Sequence, residues 1–231
     1  RSYALDLPLG SHTIPLNPDA DLSPRGIAEL IIDALVALDL TDVTLVGNDT
    51  GGALCQFVID TDDTRIGRLV LTNCDAFDVF PPAPFDMIVK VGRKPWRLRA
   101  MAVSLRPRPL RHSALGYGGL VAKPLDPALT SRWATPSRVD AGVRQDTARF
   151  LSSVKPAELL DVSTRLGEFG KPVRIVWGAA DKFFKVEFAR RLRAAFGDNA
   201  ELVEVPGGRT FIPLDEPARV ADEIDAMSRA H

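Results

Sequence analysis

One stretch, residues 43–59, limits the folds open to this chain more than any other. Val43 to Val46 is a short β-branched and aliphatic run, a glycine-rich segment follows, and Ala53 to Ile59 is apolar and suited to a buried helix. The pattern predicts a strand, a sharp turn and a helix. Such a turn needs small residues on both sides, because its apex is strained and the helix packs closely on the strand.

Gly47, Gly51 and Gly52 are expected to supply that room, and the apex falls on Asp49. Asn, Asp and Gly are also common in ordinary turns, so the hexapeptide GNDTGG alone leaves an ordinary turn open. Together with its flanking strand and helix, it resembles the nucleophile elbow of the α/β hydrolases, with Asp49 where serine usually stands. The resemblance is to the branch of haloalkane dehalogenases and epoxide hydrolases. It implies that Asp49 is the nucleophile and that the N–H of Thr50 is an oxyanion donor.

The chain around the elbow alternates predicted helices and strands. An amphipathic helix covers residues 23–38, and further strands are expected at 68–72, 171–177 and 200–205. This order predicts an α/β fold with a mostly parallel sheet and helices on both faces. The resemblance extends over nearly the whole chain and implies the α/β hydrolase fold.

Residues 86–169 are predicted to form an inserted helical lid. PPAPF, residues 81–85, breaks regular structure, and the pattern that follows is helical and interrupted by proline and glycine. In the family plan, residues 1–85 and 170–231 are then the hydrolase core. Arg1 to Leu7 is a strand-like run that resembles the fourth strand of the family. That alignment implies that the chain begins in the middle of the fold, with the first strands missing.

Polar residues follow two of the predicted strands, where parallel sheets gather active-site side chains. Asn73 and Asp75 follow one strand, and the resemblance implies either an acid or a site-lining asparagine there; an Asx turn is the alternative. GAAD resembles the family's GxxD motif and makes Asp181 the acid that orients a histidine, with Asp75 as the alternate acid. Trp177 and Tyr117 complete the candidate substrate-binding residues.

The histidine that the family uses as general base is absent. Aligning PGGRTFIPLDEP on Phe211 and Pro213 puts Thr210 in its place. A carboxylate can form a covalent ester without a base, but releasing that ester requires a deprotonated water. We therefore expect hydrolysis to be weak or absent. The other histidines offer no clear replacement: His12 is expected to be structural or solvent-facing, His112 to lie on the lid surface and His231 to be frayed.

Two departures from the branch limit the predicted substrate. Its dehalogenases generally have tryptophan after the nucleophile, where this chain has Thr50, and its epoxide hydrolases use two lid tyrosines, where this chain has only Tyr117. The prediction is a hydrolase for a small, mostly apolar molecule with a haloalkane, epoxide or ester-like centre. The alternative is a non-hydrolytic protein of the same fold that binds a ligand, or a lyase or cyclase that uses Asp49 for proton transfer. A natural Thr210 favours the alternative, and an engineered one favours a trapped hydrolase.

Composition predicts a globular, cytoplasmic protein, and the resemblance implies that it acts on a small molecule without a metal or cofactor. The 231 residues are 45% hydrophobic, and they contain no apolar run long enough to span a membrane and no signal-peptide pattern. Cys55 and Cys74 are expected to be buried, reduced thiols. No motif supports nucleic-acid binding, and the oligomeric state stays open.

Charge is unevenly distributed along the chain. Residues 87–125 contain nine basic and no acidic residues, which leaves 20 basic and 30 acidic residues elsewhere. This basic segment could attract an anionic substrate, touch an acidic membrane or partner, or form a solvated helix face.

Overall fold

The computed structural model describes residues 1–229, so Ala230 and His231, including the predicted frayed histidine, lie outside the described residues. Its sheet has four strands, in the spatial order β1-β2-β3-β4, and each neighbouring pair is parallel. The strands are β1 Val43–Asp49, β2 Ile66–Cys74, β3 Val173–Gly178 and β4 Ala200–Val205. The predicted parallel sheet is confirmed.

Eleven α-helices occur within residues 1–229. They are α1 Pro24–Ala37, α2 Thr50–Thr61, α3 Phe85–Gly92, α4 Pro95–Ser104, α5 Arg108–Arg111, α6 Pro127–Val139, α7 Ala141–Ser153, α8 Pro156–Ser163, α9 Val186–Phe196, α10 Ile212–Asp215 and α11 Pro217–Arg229. Between residues 86 and 169, all of which are described, every regular element is a helix, in agreement with the sequence pattern.

The described chain divides into two compact units. The sheet unit contains residues 28–82, 120–123 and 155–229, and the helical unit contains residues 1–27, 83–119 and 124–154. Residues 155–169, which we expected in the lid, group with the sheet unit. The functional division into a core and an 86–169 lid stays a prediction.

Helices cover both faces of the sheet. On one face Val70 and Val176 pack in a core cluster with Ile212 of α10 and with Val220 and Met227 of α11. Neighbouring residues of a strand point to opposite faces. The other face is covered by α2, which packs against β1 and β2, and by α9, which packs against β3 and β4.

The predicted strand at Arg1 to Leu7 is wrong, because the backbone is irregular there. Strand-forming residues build a strand only where their N–H and C=O groups find a ladder partner. No described strand pairs with this run, which belongs to the helical unit. In the sheet unit, β1 lies at an edge of the described sheet, and its Val46 is 43% exposed.

Close packing of α2 on the sheet depends on two of the three elbow glycines. A Cβ at Gly52 would lie 2.3 Å from the Cβ of Cys74, and a Cβ at Gly47 would lie 2.7 Å from the Sγ of Cys55. A Cβ at Gly51 would meet nothing within 4 Å. The expectation that all three glycines supply room is therefore wrong for Gly51. Cys55 and Cys74, which limit the space, are buried free thiols as predicted.

We expect Gly52→Ala to lower the free energy of unfolding by about 1–3 kcal/mol or more, because α2 must move away from β2 to admit the methyl group. Gly51→Ala is the matched control, and it should be neutral or slightly stabilising, since alanine favours a helix more than glycine does. Urea denaturation of both variants measures the difference. Equal stability of the two variants would contradict the close packing.

Candidate active site

Asp49 lies at the apex of the turn that joins β1 to α2. Its backbone has φ 54° and ψ −131°, a conformation that residues with a side chain seldom adopt. The strain follows from the short turn and from the close approach of α2 to the sheet. The sequence therefore located the apex residue correctly.

The environment of Asp49 raises the pKa of its carboxyl to about 6. Burial is the largest cause and the nearby charge of Asp181 is the second, while a hydrogen bond from the backbone N–H of Thr50 to the Asp49 carboxylate acts in the opposite direction. At pH 7 the carboxylate is still mostly anionic, with roughly a tenth of the molecules protonated. The role of the Thr50 N–H as an oxyanion donor stays a prediction.

Asp181 follows β3 and accepts three hydrogen bonds in the sheet unit. The donors are the hydroxyl of Thr210 at 3.0 Å, the backbone N–H of Phe183 at 2.8 Å and the side-chain amide of Asn73 at 2.8 Å. Burial raises the pKa of Asp181, and these bonds oppose that rise. A carboxylate with several donors is fixed in orientation, which suits a residue that must hold a partner in place.

Asn73 connects the carboxyl ends of β2 and β3. Its side-chain oxygen accepts from the backbone N–H of Gly178 at 2.6 Å, and its side-chain nitrogen donates to the Gly178 carbonyl at 3.0 Å as well as to Asp181. The residue is fully buried. Asn73 therefore holds Asp181 rather than forming only an Asx turn at the end of its strand.

Thr210 lies in the loop between β4 and α10 and is only 1% exposed. Because the Asp181 carboxylate can only accept, the Thr210 hydroxyl must be the donor in their bond. The Thr210 carbonyl accepts from the side chain of Asn48 at 2.7 Å, and Asn48 also donates to the Asn73 carbonyl at 3.1 Å. The sequence analysis missed Asn48, although its position directly before Asp49 was a signal.

Asp215 is a second residue that the sequence analysis missed. Its fully buried carboxylate accepts from the backbone N–H groups of Arg209 at 2.9 Å, Ala122 at 2.8 Å and Lys123 at 3.0 Å. These bonds tie the loop that carries Thr210 to residues 120–123. Asp215 thus fixes the position of Thr210 without lying beside it in sequence.

Asp75 is also fully buried, and only one of its carboxylate oxygens has a hydrogen-bond partner among the described residues. That oxygen accepts from the Thr50 hydroxyl at 3.4 Å. Burial and the neighbouring charge of Asp49 hold the pKa of Asp75 well above its usual range, which favours the protonated form. Thr210 bonds to Asp181, whereas the described partner of the Asp75 carboxylate is Thr50, and the choice of Asp181 as the orienting acid stays a prediction.

Trp177 and Tyr117 have different surroundings from the other predicted site residues. Trp177 is fully buried, its indole N–H donates to the Phe184 carbonyl at 2.9 Å, and this uses its only donor. These contacts give Trp177 a packing role. Tyr117 belongs to the helical unit, where its ring packs edge-on against Trp133 with 5.2 Å between the ring centroids.

The two described histidines, His12 and His112, both belong to the helical unit. His12 is buried: its Nδ1 accepts from the Gly10 N–H at 3.3 Å, so its Nε2 carries the proton toward Asp146 at 3.3 Å. The structural alternative for His12 is therefore supported over the solvent-facing one. His112 is half-buried and bonds to the Thr130 hydroxyl at 2.9 Å.

Among residues 1–229, no group of three or more His, Cys, Asp or Glu side chains is arranged to hold a metal ion.

The raised pKa of Asp49 has a consequence for stability. The carboxyl binds its proton more tightly in the folded chain than in the unfolded one, so ionising it costs folding free energy as pH rises from about 4 through about 6. We expect Asp49→Asn to be more stable than the parent chain above pH 7, and we expect this gain in the free energy of unfolding to be larger above pH 7 than at pH 4. The shift corresponds to about 3 kcal/mol, and we expect about 1–2 kcal/mol because the residue is partly exposed. Urea denaturation at both pH values measures this difference, and a gain that does not depend on pH would contradict it.

Comparisons with known proteins agree with this architecture. Residues 1–223 match the model of the Alpha/beta hydrolase family. An α/β hydrolase fold protein from Burkholderia ambifaria is 23% identical with a TM-score of 0.73, and the match covers 94% of this chain and 77% of that chain. A mutant of the haloalkane dehalogenase DatA from Agrobacterium tumefaciens is 17% identical with a TM-score of 0.70, covering 96% and 78%. An esterase from Exiguobacterium antarcticum is 16% identical with a TM-score of 0.63, covering 92% and 76%. At these identities the solved structures show a shared fold, and the family match shows that this chain belongs to the alpha/beta hydrolase family.

Proposed function

We propose that this chain is an Asp-nucleophile enzyme of the alpha/beta hydrolase family that forms an ester between Asp49 and a small, mostly apolar molecule. The observation that carries the proposal is the position of Asp49 at a strained strand-to-helix apex, directly before the first residue of α2. In the first step a carboxylate oxygen bonds to an electrophilic carbon. The bond from that carbon to its leaving group breaks, and the leaving group takes the electron pair.

The second step, hydrolysis of the ester, is proposed to be impaired. It requires a water that loses a proton as it attacks the ester carbonyl, while the Thr50 N–H stabilises the charge on the carbonyl oxygen. Thr210 takes the place of the family histidine, and its hydroxyl is a donor to Asp181 rather than a base. Loss of a general base slows such a step by about 10²–10⁴-fold.

The proposed substrate class rests on the site residues and on the named structural neighbours. Those neighbours include a haloalkane dehalogenase, an esterase and a meta-cleavage product hydrolase. Thr50 lacks the indole N–H that binds halide in the dehalogenase branch, and Tyr117 is a single lid tyrosine rather than a pair. We therefore propose an alkyl halide, epoxide or ester-like centre without choosing among them.

A second candidate is a lyase or cyclase in which Asp49 moves a proton and no covalent ester forms. The pKa of about 6 favours it, because a group that titrates near neutral pH can both accept and give back a proton. A ligand-binding protein of the same fold would use the site without either step. Neither the lyase or cyclase nor the ligand-binding protein would add mass to Asp49, whereas the proposed nucleophile would.

Incubation with a panel of alkyl halides and epoxides should add the mass of one substrate-derived group to the chain, and peptide mapping should place it on Asp49. The rate of labelling should rise with pH and level off above about 6, because only the carboxylate attacks. Intact-protein mass spectrometry measures both. Asp49→Asn is the control and should not be labelled, whereas labelling at the same rate in this variant would exclude Asp49 as the nucleophile.

Thr210→His should restore release of the ester, since a histidine there would lie beside the Asp181 carboxylate. We expect the adduct to disappear about 10²–10⁴-fold faster than in the parent chain. Thr210→Val is the matched control, because it removes the hydroxyl with little change in shape and supplies no base. Thermal melting establishes that both variants are folded. An adduct equally long-lived in a folded Thr210→His chain would show that a missing base is not what limits release.

A further inference from the structure

An exposed surface of the helical unit carries many apolar and cationic side chains that the proposed chemistry does not use. Six large hydrophobic side chains are exposed between residues 87 and 115, including Trp96 at 67% and Leu115 at 97%. Seven cationic side chains are exposed among them. We refer to these side chains together as the α3–α5 surface: Met87, Ile88, Trp96, Val103, Leu110 and Leu115, with Lys90, Arg93, Lys94, Arg97, Arg99, Arg106 and Arg108.

The helix α4 has one apolar side that packs and another that faces solvent. Leu98 and Ala102 are buried, and α4 packs against α6 and α7. Trp96, Ala100 and Val103 recur at helical spacing on the opposite side and are exposed. At 100° per residue, the arginines at positions 97 and 99 flank this exposed stripe on its two sides.

Most cations of this surface have no acidic partner. Residues 87–125 contain no Asp or Glu, and Arg97 lies over the ring of Trp96, with its guanidinium carbon 5.1 Å from the ring centroid. In the described part of the chain, six of the seven cations form no ion pair, whereas Lys90 pairs with Asp86; the six are Arg93, Lys94, Arg97, Arg99, Arg106 and Arg108. In the sheet unit, by contrast, Arg165 and Arg190 pair with Asp60 and Glu204. An exposed apolar stripe between unpaired cations indicates an interaction surface.

We propose that the α3–α5 surface docks this protein on an anionic lipid surface. The apolar side chains would enter the headgroup region with Trp96 at the interface, while the long arginine and lysine side chains would extend to lipid phosphates. A lipid boundary presents negative charge and apolar depth in one plane, which matches the exposed apolar stripe of α4 and the arginines 97 and 99 that flank it. An acidic protein would match the cations but not the apolar stripe. The docking is peripheral, since no helix among residues 1–229 has the length and apolar character to cross a membrane.

Flotation of the full chain with lipid vesicles tests the proposal independently of the reaction at Asp49. The chain should bind vesicles of phosphatidylcholine mixed equally with phosphatidylglycerol and should bind pure phosphatidylcholine vesicles far less. Salt should weaken the binding, because it screens the attraction between the cations and the phosphates. Absence of binding to the mixed vesicles, or equal binding to both kinds, would overturn the proposal.

Charge reversal on α4 gives the sharper comparison. Arg97→Glu with Arg99→Glu should weaken partitioning onto the mixed vesicles by about 30-fold or more, from the attraction typical of each cation near such a surface. Arg190→Glu with Arg193→Glu is the matched control on α9, since both residues are exposed and the net charge changes equally. Equal weakening in the two double variants would show that net charge, and not this surface, determines binding.

Tryptophan fluorescence reports the apolar part of the contact. Emission should shift to shorter wavelength on binding in Trp133→Phe, which keeps Trp96, and should not shift in Trp96→Phe. The opposite result would overturn the placement of Trp96 at the lipid. Retention by immobilised polyglutamate without any vesicle binding would point instead to an acidic protein partner and would also overturn the proposal.

Discussion

The contact between Gly52 and Cys74 is the constraint on which the candidate site depends. With no side chain on Gly52, α2 approaches the end of β2 so closely that a Cβ would overlap Cys74. That approach leaves no length for a relaxed connection between β1 and α2. Asp49 therefore takes a positive φ, and its carboxylate lies at the carboxyl edge of the sheet beside the first N–H of α2.

The same edge of the sheet gathers three carboxyl groups, and each is accommodated differently. Asp181 is stabilised as an anion by donors from Thr210, Asn73 and Phe183. Burial and the neighbouring charge of Asp49 raise the pKa of Asp75, so its protonated form is favoured despite the bond from the Thr50 hydroxyl. Burial and the nearby charge of Asp181 raise the pKa of Asp49 to about 6. Neighbouring acids whose environments separate their pKa values are typical of sites that divide charge and proton transfer between groups.

Sequence reasoning succeeded where a feature depends on local pattern. The strand, apex and helix around Asp49 follow from spacing and from glycine, and the order of strands and helices gives the parallel sheet. Sequence reasoning failed where contacts between residues distant in the chain determine the local structure or the role of a residue. Arg1 to Leu7 has strand-forming residues but no ladder partner in the described sheet. The sequence pattern treats Gly51 and Gly52 alike, but whether a Cβ fits at each position depends on neighbours that are distant in sequence. Asn48 and Asp215 act through hydrogen bonds to residues far along the chain, which no short motif records.

Thr210 is better understood as a member of a complete network than as a gap left by a missing histidine. Its hydroxyl, its carbonyl and the loop that carries it are all bonded, to Asp181, Asn48 and Asp215 respectively. A buried polar group that lost its partner would cost about 1–3 kcal/mol, so these bonds hold the loop in one position. The Asp181 carboxylate thus keeps a fixed geometry, with the Thr210 hydroxyl as one of its donors. Under the proposed function, this arrangement would keep the shape of a hydrolytic site without its base, and chemistry at Asp49 would be limited to what a lone carboxylate and the Thr50 N–H can do.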